Sequence, residues 1–164
     1  LGATQIDIYG NVNSTMLGED YNRPKKRFPG SGGANEVASF CWKTIIIMMH
    51  EKRRFVPRVD FITSPGYLDG TPGARERAGL PAGTGPWRIV TSKAVFGFDE
   101  DSKKMTLLGV LQGLTPEQVL AEMELKPLVA ARVETLAPPT EQELRILREE
   151  IDPARTIIGR TAKP

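Results

Sequence analysis

Apolar and polar residues alternate from Thr4 to Ile8, and Val12 to Leu17 reads as a second extended segment, so Gly10-Asn11 predicts a tight turn between two strands. From Gly18 to Gly33 the chain is polar, basic and rich in Gly and Pro, the composition of a loop. Ala34 to Phe40 fits one short helix with Val37 and Phe40 on its apolar face. Thr44 to Met49 carries the strongest strand signal. Its apolar run is continuous, which predicts a parallel strand covered on both faces. Val59 to Thr63 reads as another short strand, and Gly66 to Gly85 as a long loop of the kind that often carries function.

Trp87 to Val90 and Ala94 to Phe98 are predicted strands, with Met105 to Val110 pairing back onto the latter across Asp99 to Lys103. Thr115-Pro116-Glu117-Gln118 marks a helix start, with Thr115 as cap, Pro116 in the first turn and Gln118 to close a capping box. Thr140 and Glu143 repeat that signature for a helix over 140–151, with Leu144, Leu147 and Ile151 on one face and Asp152-Pro153 as its stop. Pro138-Pro139 is a stiff connector. Strands mixed with a few helices, one of the strands doubly covered, predict an open α/β sheet. Such sheets bind ligands beyond the carboxyl ends of their strands.

Composition narrows the chemistry. The 164 residues suit one domain; hydrophobic residues at 40% and charged residues at 26% predict a globular chain rather than a disordered one. The longest apolar run, Ile45 to Met49, is too short to span a bilayer. One Cys and one His exclude an internal disulfide and a Cys- or His-rich metal centre, so no metal is expected, and a reducing, cytoplasmic setting fits. A net charge of +2 is too small to argue for nucleic acid. The chain opens on Leu1 directly in strand-like residues, without the features of a signal peptide, which predicts that a portion upstream is missing.

Gly30-Ser31-Gly32-Gly33 stands before the predicted helix. Glycines let a backbone turn its N–H groups toward an oxygen or anion, and a following helix adds its positive end. The loop therefore suits a phosphate, a carboxylate or a thioester oxyanion, and equally a turn that needs glycine for geometry alone. It matches neither a dinucleotide fingerprint nor a Walker loop. Lys25-Lys26-Arg27 and Lys52-Arg53-Arg54 fit cofactor phosphates or an acidic partner, but also a solvated surface. His50-Glu51 begins like a metalloprotease motif, yet Arg54 occupies the second ligand position, which rejects zinc. His50, just after the central strand, is either near a site or a hydrogen-bonded structural histidine. Cys41, between Phe40 and Trp42, is expected to be a buried small hydrophobe, and Glu149-Glu150 a solvent-facing charge.

Several stretches in order resemble the beta subunits of family I CoA-transferases of the glutaconate type. They are Gly2-Ala3-Thr4-Gln5-Ile6-Asp7, Tyr9-Gly10-Asn11-Val12-Asn13-Ser14-Thr15, Gly30-Ser31-Gly32-Gly33-Ala34-Asn35, His50-Glu51-Lys52-Arg53-Arg54-Phe55, Thr63-Ser64-Pro65-Gly66 and Arg148-Glu149-Glu150-Ile151-Asp152-Pro153. They span nearly the whole chain. The resemblance implies an open, mostly parallel α/β sheet, with residues 1–164 as the carboxy-terminal part of one beta-subunit domain. It also implies an alpha-like partner subunit and an active site at their interface. In the family a glutamate attacks an acyl-CoA, becomes a glutamyl-CoA thioester and passes CoA to a second carboxylate. Coenzyme A enters as substrate thioester. The glycine loop holds the thioester or carboxylate oxygen, a role that falls here to Gly30, Ser31, Gly32 and Gly33 with Asn35 beside them; Asn11 and His50 would lie near the site.

The catalytic glutamate of the family lies upstream of the segment resembling Gly2 to Asp7, and neither Glu19 nor Glu36 occupies its place. The attacking group is therefore expected outside this chain, on an N-terminal portion that a separate chain could supply. Relatives on the same scaffold include decarboxylases and ring-cleaving hydrolases of acyl-CoA substrates. A catalytically inert scaffold half is a further reading.

Overall fold

The computed structural model describes residues 1–157 and 159 of the chain. Four two-residue strands open it: β1 (Gln5–Ile6), β2 (Val12–Asn13), β3 (Met16–Leu17) and β4 (Lys26–Arg27). β1 pairs antiparallel with β2, and β3 with β4. The second predicted segment thus divides in two. The Asn13 side-chain oxygen accepts the N–H groups of Thr15 and Met16 (3.0 and 3.3 Å), bending the chain between β2 and β3. The turn before β2 closes from the Gly10 N–H to the Asp7 carbonyl, 3.1 Å. Gly10 has φ 73°, and a Cβ there would lie 2.6 Å from the Phe98 ring, so both backbone and space demand glycine.

α1 (Ala34–Phe40), β5 (Thr44–Met48), a 3₁₀ turn at Lys52–Arg54 and α2 (Ala74–Arg77) follow, the last inside the 66–85 loop. Then come β6 (Pro86–Thr91), β7 (Ala94–Phe98), β8 (Met105–Leu111), α3 (Pro116–Ala121), β9 (Leu128–Leu136) and α4 (Glu141–Arg145), which continues as a π-helical turn at Ile146–Ile151. Strands β5 to β9 form one sheet in sequence order. β5–β6 and β8–β9 are parallel, while β6–β7 and β7–β8 are antiparallel. Only β7 runs against the other four, so the α/β sheet is mostly parallel, as expected.

One face of this sheet makes the core. Ile46, Ile89, Phe96 and Leu107 pack there against Ile6, Val12 and Phe55 from the N-terminal half, and against Val119, Met123 and Leu125 around α3. Both predicted capping boxes are present. The Thr115 and Thr140 hydroxyls accept the N–H groups of Gln118 and Glu143, whose side chains bond back to the caps. Glu149 and Glu150 are exposed and paired with Arg145 (3.8 and 3.3 Å).

Four expectations need correction. β5 is buried on one face only; Ile45, Ile47 and Met49 are exposed, because among the described residues no element packs over that face. α1 buries Ala38 and Ser39 and turns Val37 and Phe40 outward. Cys41, which ends α1 in extended conformation between exposed Phe40 and Trp42, is itself exposed. Val59 to Thr63 forms no strand: Ser64 and Val12 exchange two bonds (both 3.0 Å) as one isolated antiparallel bridge, with the Thr63 N–H sharing the Val12 carbonyl (2.9 Å), instead of a ladder. β9 lies outside every predicted strand.

Candidate functional site

The predicted anion loop is held from below by hydroxyls and amides. Ser14 Oγ donates to the Gly30 carbonyl (3.4 Å), Asn35 Nδ2 to the Thr63 carbonyl (2.9 Å), and Ser64 Oγ to the Ala34 carbonyl (3.2 Å). Thr63 is fixed in turn: its Oγ1 lies 2.8 Å from Thr15 Oγ1 and accepts the Ser14 N–H at 2.8 Å. Asn13, beneath them, bonds the Gln5 side chain and the Met16 carbonyl, both at 2.6 Å. The buried members of this layer, Gln5, Asn13, Thr15, Thr63 and Ser64, rigidify the seat of the loop, since each would be costly to leave unpaired.

The loop itself is asymmetric. The carbonyls of Gly30, Ser31 and Gly33 accept protein donors, whereas the N–H groups of Gly30, Ser31, Gly32 and Gly33 have no acceptor among the described residues. Gly30 and Gly32 have φ of 97° and 49°, and a Cβ at either would meet nothing within 4 Å. Glycine is needed there for the backbone angle, not for space. Successive free N–H groups are a backbone arrangement that can hold an anion.

Asn11 and His50 make their hydrogen bonds to other segments. Asn11 is buried; its Oδ1 accepts the Gly66 and Leu68 N–H groups (2.9 and 3.2 Å) and its Nδ2 donates to Asp7 Oδ2 (2.9 Å) and the Leu68 carbonyl (2.8 Å). It thereby holds Leu68 at a strained φ of 58°. Burial pushes the Asp7 carboxyl above the usual aspartate range, against the lowering pull of hydrogen bonds from Asn11 and Tyr9. Leu68 and Tyr9 also line a cleft of about 810 Å³, walled by Phe61 and Ile62 and flanked by Arg58 and Arg77.

His50 is in the core. Its Nε2 lies 3.0 Å from the Val119 carbonyl, which only accepts, so that nitrogen carries the proton; Nδ1 lies 3.2 Å from Thr91 Oγ1. Phe55 and Phe96 pack on the ring. Burial lowers its pKa, with the Val119 bond pulling the other way. Lys52-Arg53-Arg54 is drawn into local structure, with Arg53 and Arg54 on Glu51 (2.6 and 3.1 Å) and Arg54 also on the Ala3 carbonyl (2.8 Å). Lys26 and Arg27 lie over the Phe28 and Tyr21 rings.

One participant had no sequence signal. Arg75, in the Gly/Pro-rich loop, is buried and donates to the carbonyls of Pro65, Gly66, Ala38 and Ser39 and to Thr84 Oγ1, at 2.7 to 3.1 Å. It ties the end of α1 to the segment after Ser64, and so braces the glycine loop from the far end of its helix. Burial lowers its pKa. No group of three or more His, Cys, Asp or Glu able to hold a metal occurs among the described residues, and no described helix is long and apolar enough to cross a membrane.

The fold is matched by known proteins. The profile of the coenzyme A transferase family covers residues 1–122, and the chain belongs to that family. It is 49% identical over 158 residues to the beta subunit of glutaconate CoA-transferase from Acidaminococcus fermentans, covering 96% of this chain and 58% of that one. The crystal structure of the glutaconate coenzyme A-transferase from that organism superposes with a TM-score of 0.91 at 46% identity, over 98% of this chain and 60% of the other. The beta subunit of 3-oxoadipate CoA-transferase from Pseudomonas knackmussii is 40% identical over 90% of this chain and 56% of its own. Rhodococcus jostii IpdAB, whose IpdB subunit is described as a cholesterol ring-cleaving hydrolase subunit, superposes at 0.73 with 28% identity, over 95% and 60%. The chain thus spans between 49% and 59% of the length of the curated relatives it matches.

Proposed function

We propose that this chain is the ligand-holding part of a CoA-transferase beta subunit that works with an alpha-like subunit and an N-terminal portion outside these residues. The observation that carries the reading is the set of four unpaired N–H groups at Gly30 to Gly33 on a buttressed seat. They would face the oxygen that gains negative charge when a thioester carbonyl becomes tetrahedral. A glutamate carboxylate from outside the chain attacks the acyl-CoA carbonyl, and the C–S bond breaks to give an acyl-glutamyl anhydride and CoA thiolate. The thiolate then attacks the glutamyl carbonyl, releasing the first carboxylate and leaving a glutamyl-CoA thioester. A second carboxylate reverses these steps and departs as the new acyl-CoA. Asn35 holds the loop's seat; Asn11 shapes the neighbouring cleft, and His50 supports the sheet beneath. Coenzyme A is carried as substrate, no metal is required, and neither a nucleic acid nor a membrane is a partner. The setting is cytoplasmic.

The test is reconstitution with the N-terminal portion and an alpha-like subunit, then incubation with acyl-CoA and an acceptor dicarboxylate. CoA exchange is expected, and hydroxylamine should trap a glutamyl thioester upstream of Leu1. Trapping at Glu19 or Glu36 would sink the assignment. Gly32→Val should lower transfer about 100-fold by disturbing the cradle; unchanged transfer would favour a scaffold half. The likeness to the IpdB subunit supports a second reading, hydrolysis of an acyl-CoA on the same cradle. Product without an acceptor would select it, and release of carbon dioxide would indicate a decarboxylase.

A further inference from the structure

Arg75 is 4% exposed, and its acceptors are all neutral: the carbonyls of Pro65, Gly66, Ala38 and Ser39 and the Thr84 hydroxyl. They occupy Nη1 and Nη2, which leaves Nε as a buried donor with no partner. No carboxylate pairs with this guanidinium among the described residues. Glu76, beside it in the chain, is exposed and reaches it only through its field. A permanent charge kept out of water normally has a counter-charge as well as hydrogen bonds. Here the bonds are present and the counter-charge is not.

Arg75 also lines a cavity of about 230 Å³, to which the 66–85 loop brings Tyr67, Gly73, Glu76 and Thr84 and the turn between β7 and β8 brings Lys103. Lys103 holds a φ of 58°, which lysine seldom adopts. Its Nζ donates to the Glu100 carbonyl (2.6 Å) and lies 5.6 Å from the centre of the Tyr67 ring. An ammonium bonded once keeps two further N–H donors. The hydroxyls on the wall are already committed, Tyr67 to the Pro86 carbonyl (3.0 Å) and Thr84 to the Pro81 carbonyl (2.6 Å). The cavity therefore sets two cations against one carboxylate, in a space roomy enough for a small ion with water.

We infer that this cavity binds a small oxyanion, a carboxylate or a phosphate group, through the charges of Arg75 and Lys103. Its occupation clamps α2 and the 66–85 loop to the β7–β8 turn, since the two cations come from these separate segments. The inference does not rest on the proposed reaction.

The test follows the Arg75 Nε–H resonance of the whole chain by heteronuclear NMR while inorganic phosphate, and separately acetate, is added at constant ionic strength. A saturable shift is expected with at least one of them. Saturation by phosphate alone assigns a phosphoryl group to the site, and by acetate alone a carboxylate. Lys103→Gln should weaken binding about fivefold through loss of one charge near the surface, and Glu76→Gln should tighten it about twofold by removing a like charge. Neither side chain is buried, so both variants should keep the fold. On saturation, amide exchange should slow over residues 71–84. A resonance that both anions leave in place overturns the inference. So does binding that Lys103→Gln leaves unchanged, binding that Glu76→Gln weakens, or saturation without slower exchange.

Discussion

Ile46 and Ile47 are consecutive residues of one strand with opposite surroundings. Ile46 meets Ile89 and the rest of the core; Ile47, beside Val90 in the register, points to the open side. Successive strand residues face opposite sides, so a wholly apolar strand needs two covers, and β5 has one. Its sequence is that of a strand covered on both faces, but only one of its faces is packed. The same holds at the other end of the chain, where Leu147 and Ile151 on the turn after α4 are exposed apolar residues. The packed face supplies the chain's stability, and the open face adds little to it.

The largest effect should come from the packed face. Phe96 is fully buried between His50 and Phe55, and Phe96→Ala is expected to cost about 3–5 kcal/mol in urea unfolding through lost transfer energy and the cavity left behind. A cost below about 1 kcal/mol would mean that this face is not the core. Ile46→Ala should follow at about 2–4 kcal/mol. Measured beside the same substitution at Ile47, it asks whether the two sides of one strand differ as their burial does.

These contrasts show where the sequence was readable. The capping boxes at Thr115 and Thr140 were legible because a cap is local, decided by residues three apart. β7 and β8 were legible because their apolar residues sit on one continuous antiparallel pair. β9 was not: its residues are mostly exposed, and it is a strand because β8 offers it a ladder. Cys41 and Phe40 looked like core, but apolar neighbours in sequence were themselves on the open side. At the candidate site, the Gly30 to Gly33 spacing marked the loop and left its role undecided. Its supports were hidden, because Thr15, Thr63 and Arg75 reach it only through tertiary contacts.

His50 offers a smaller, pH-dependent probe of the packed face. Burial lowers its pKa from the usual 6.5, so on acidification below that value the unfolded chain takes up a proton that the folded chain resists. This contribution to stability is complete above pH 6.5 and is lost as pH falls from there toward the folded value. Its slope is at most about 1.4 kcal/mol per pH unit. Asp7 acts in the opposite sense, since its raised pKa makes the folded chain the better proton acceptor above 3.8. Comparing urea midpoints of the parent and His50→Gln at each pH cancels the Asp7 effect. The parent should lose stability more steeply below pH 6.5 than the variant, and parallel curves would mean that His50 titrates as freely as in the unfolded chain.

The smallest effect is expected at Ile47. Ile47→Ser in the 164-residue chain removes a side chain that is already mostly in water, so its unfolding free energy should change by less than about 0.5 kcal/mol, the ordinary range for a surface position. Strand propensity works slightly against serine, while relief of an exposed apolar patch works the other way through solubility. A loss above about 1 kcal/mol would show that the open face is already covered in solution, and light scattering on the same sample would reveal whether another copy covers it.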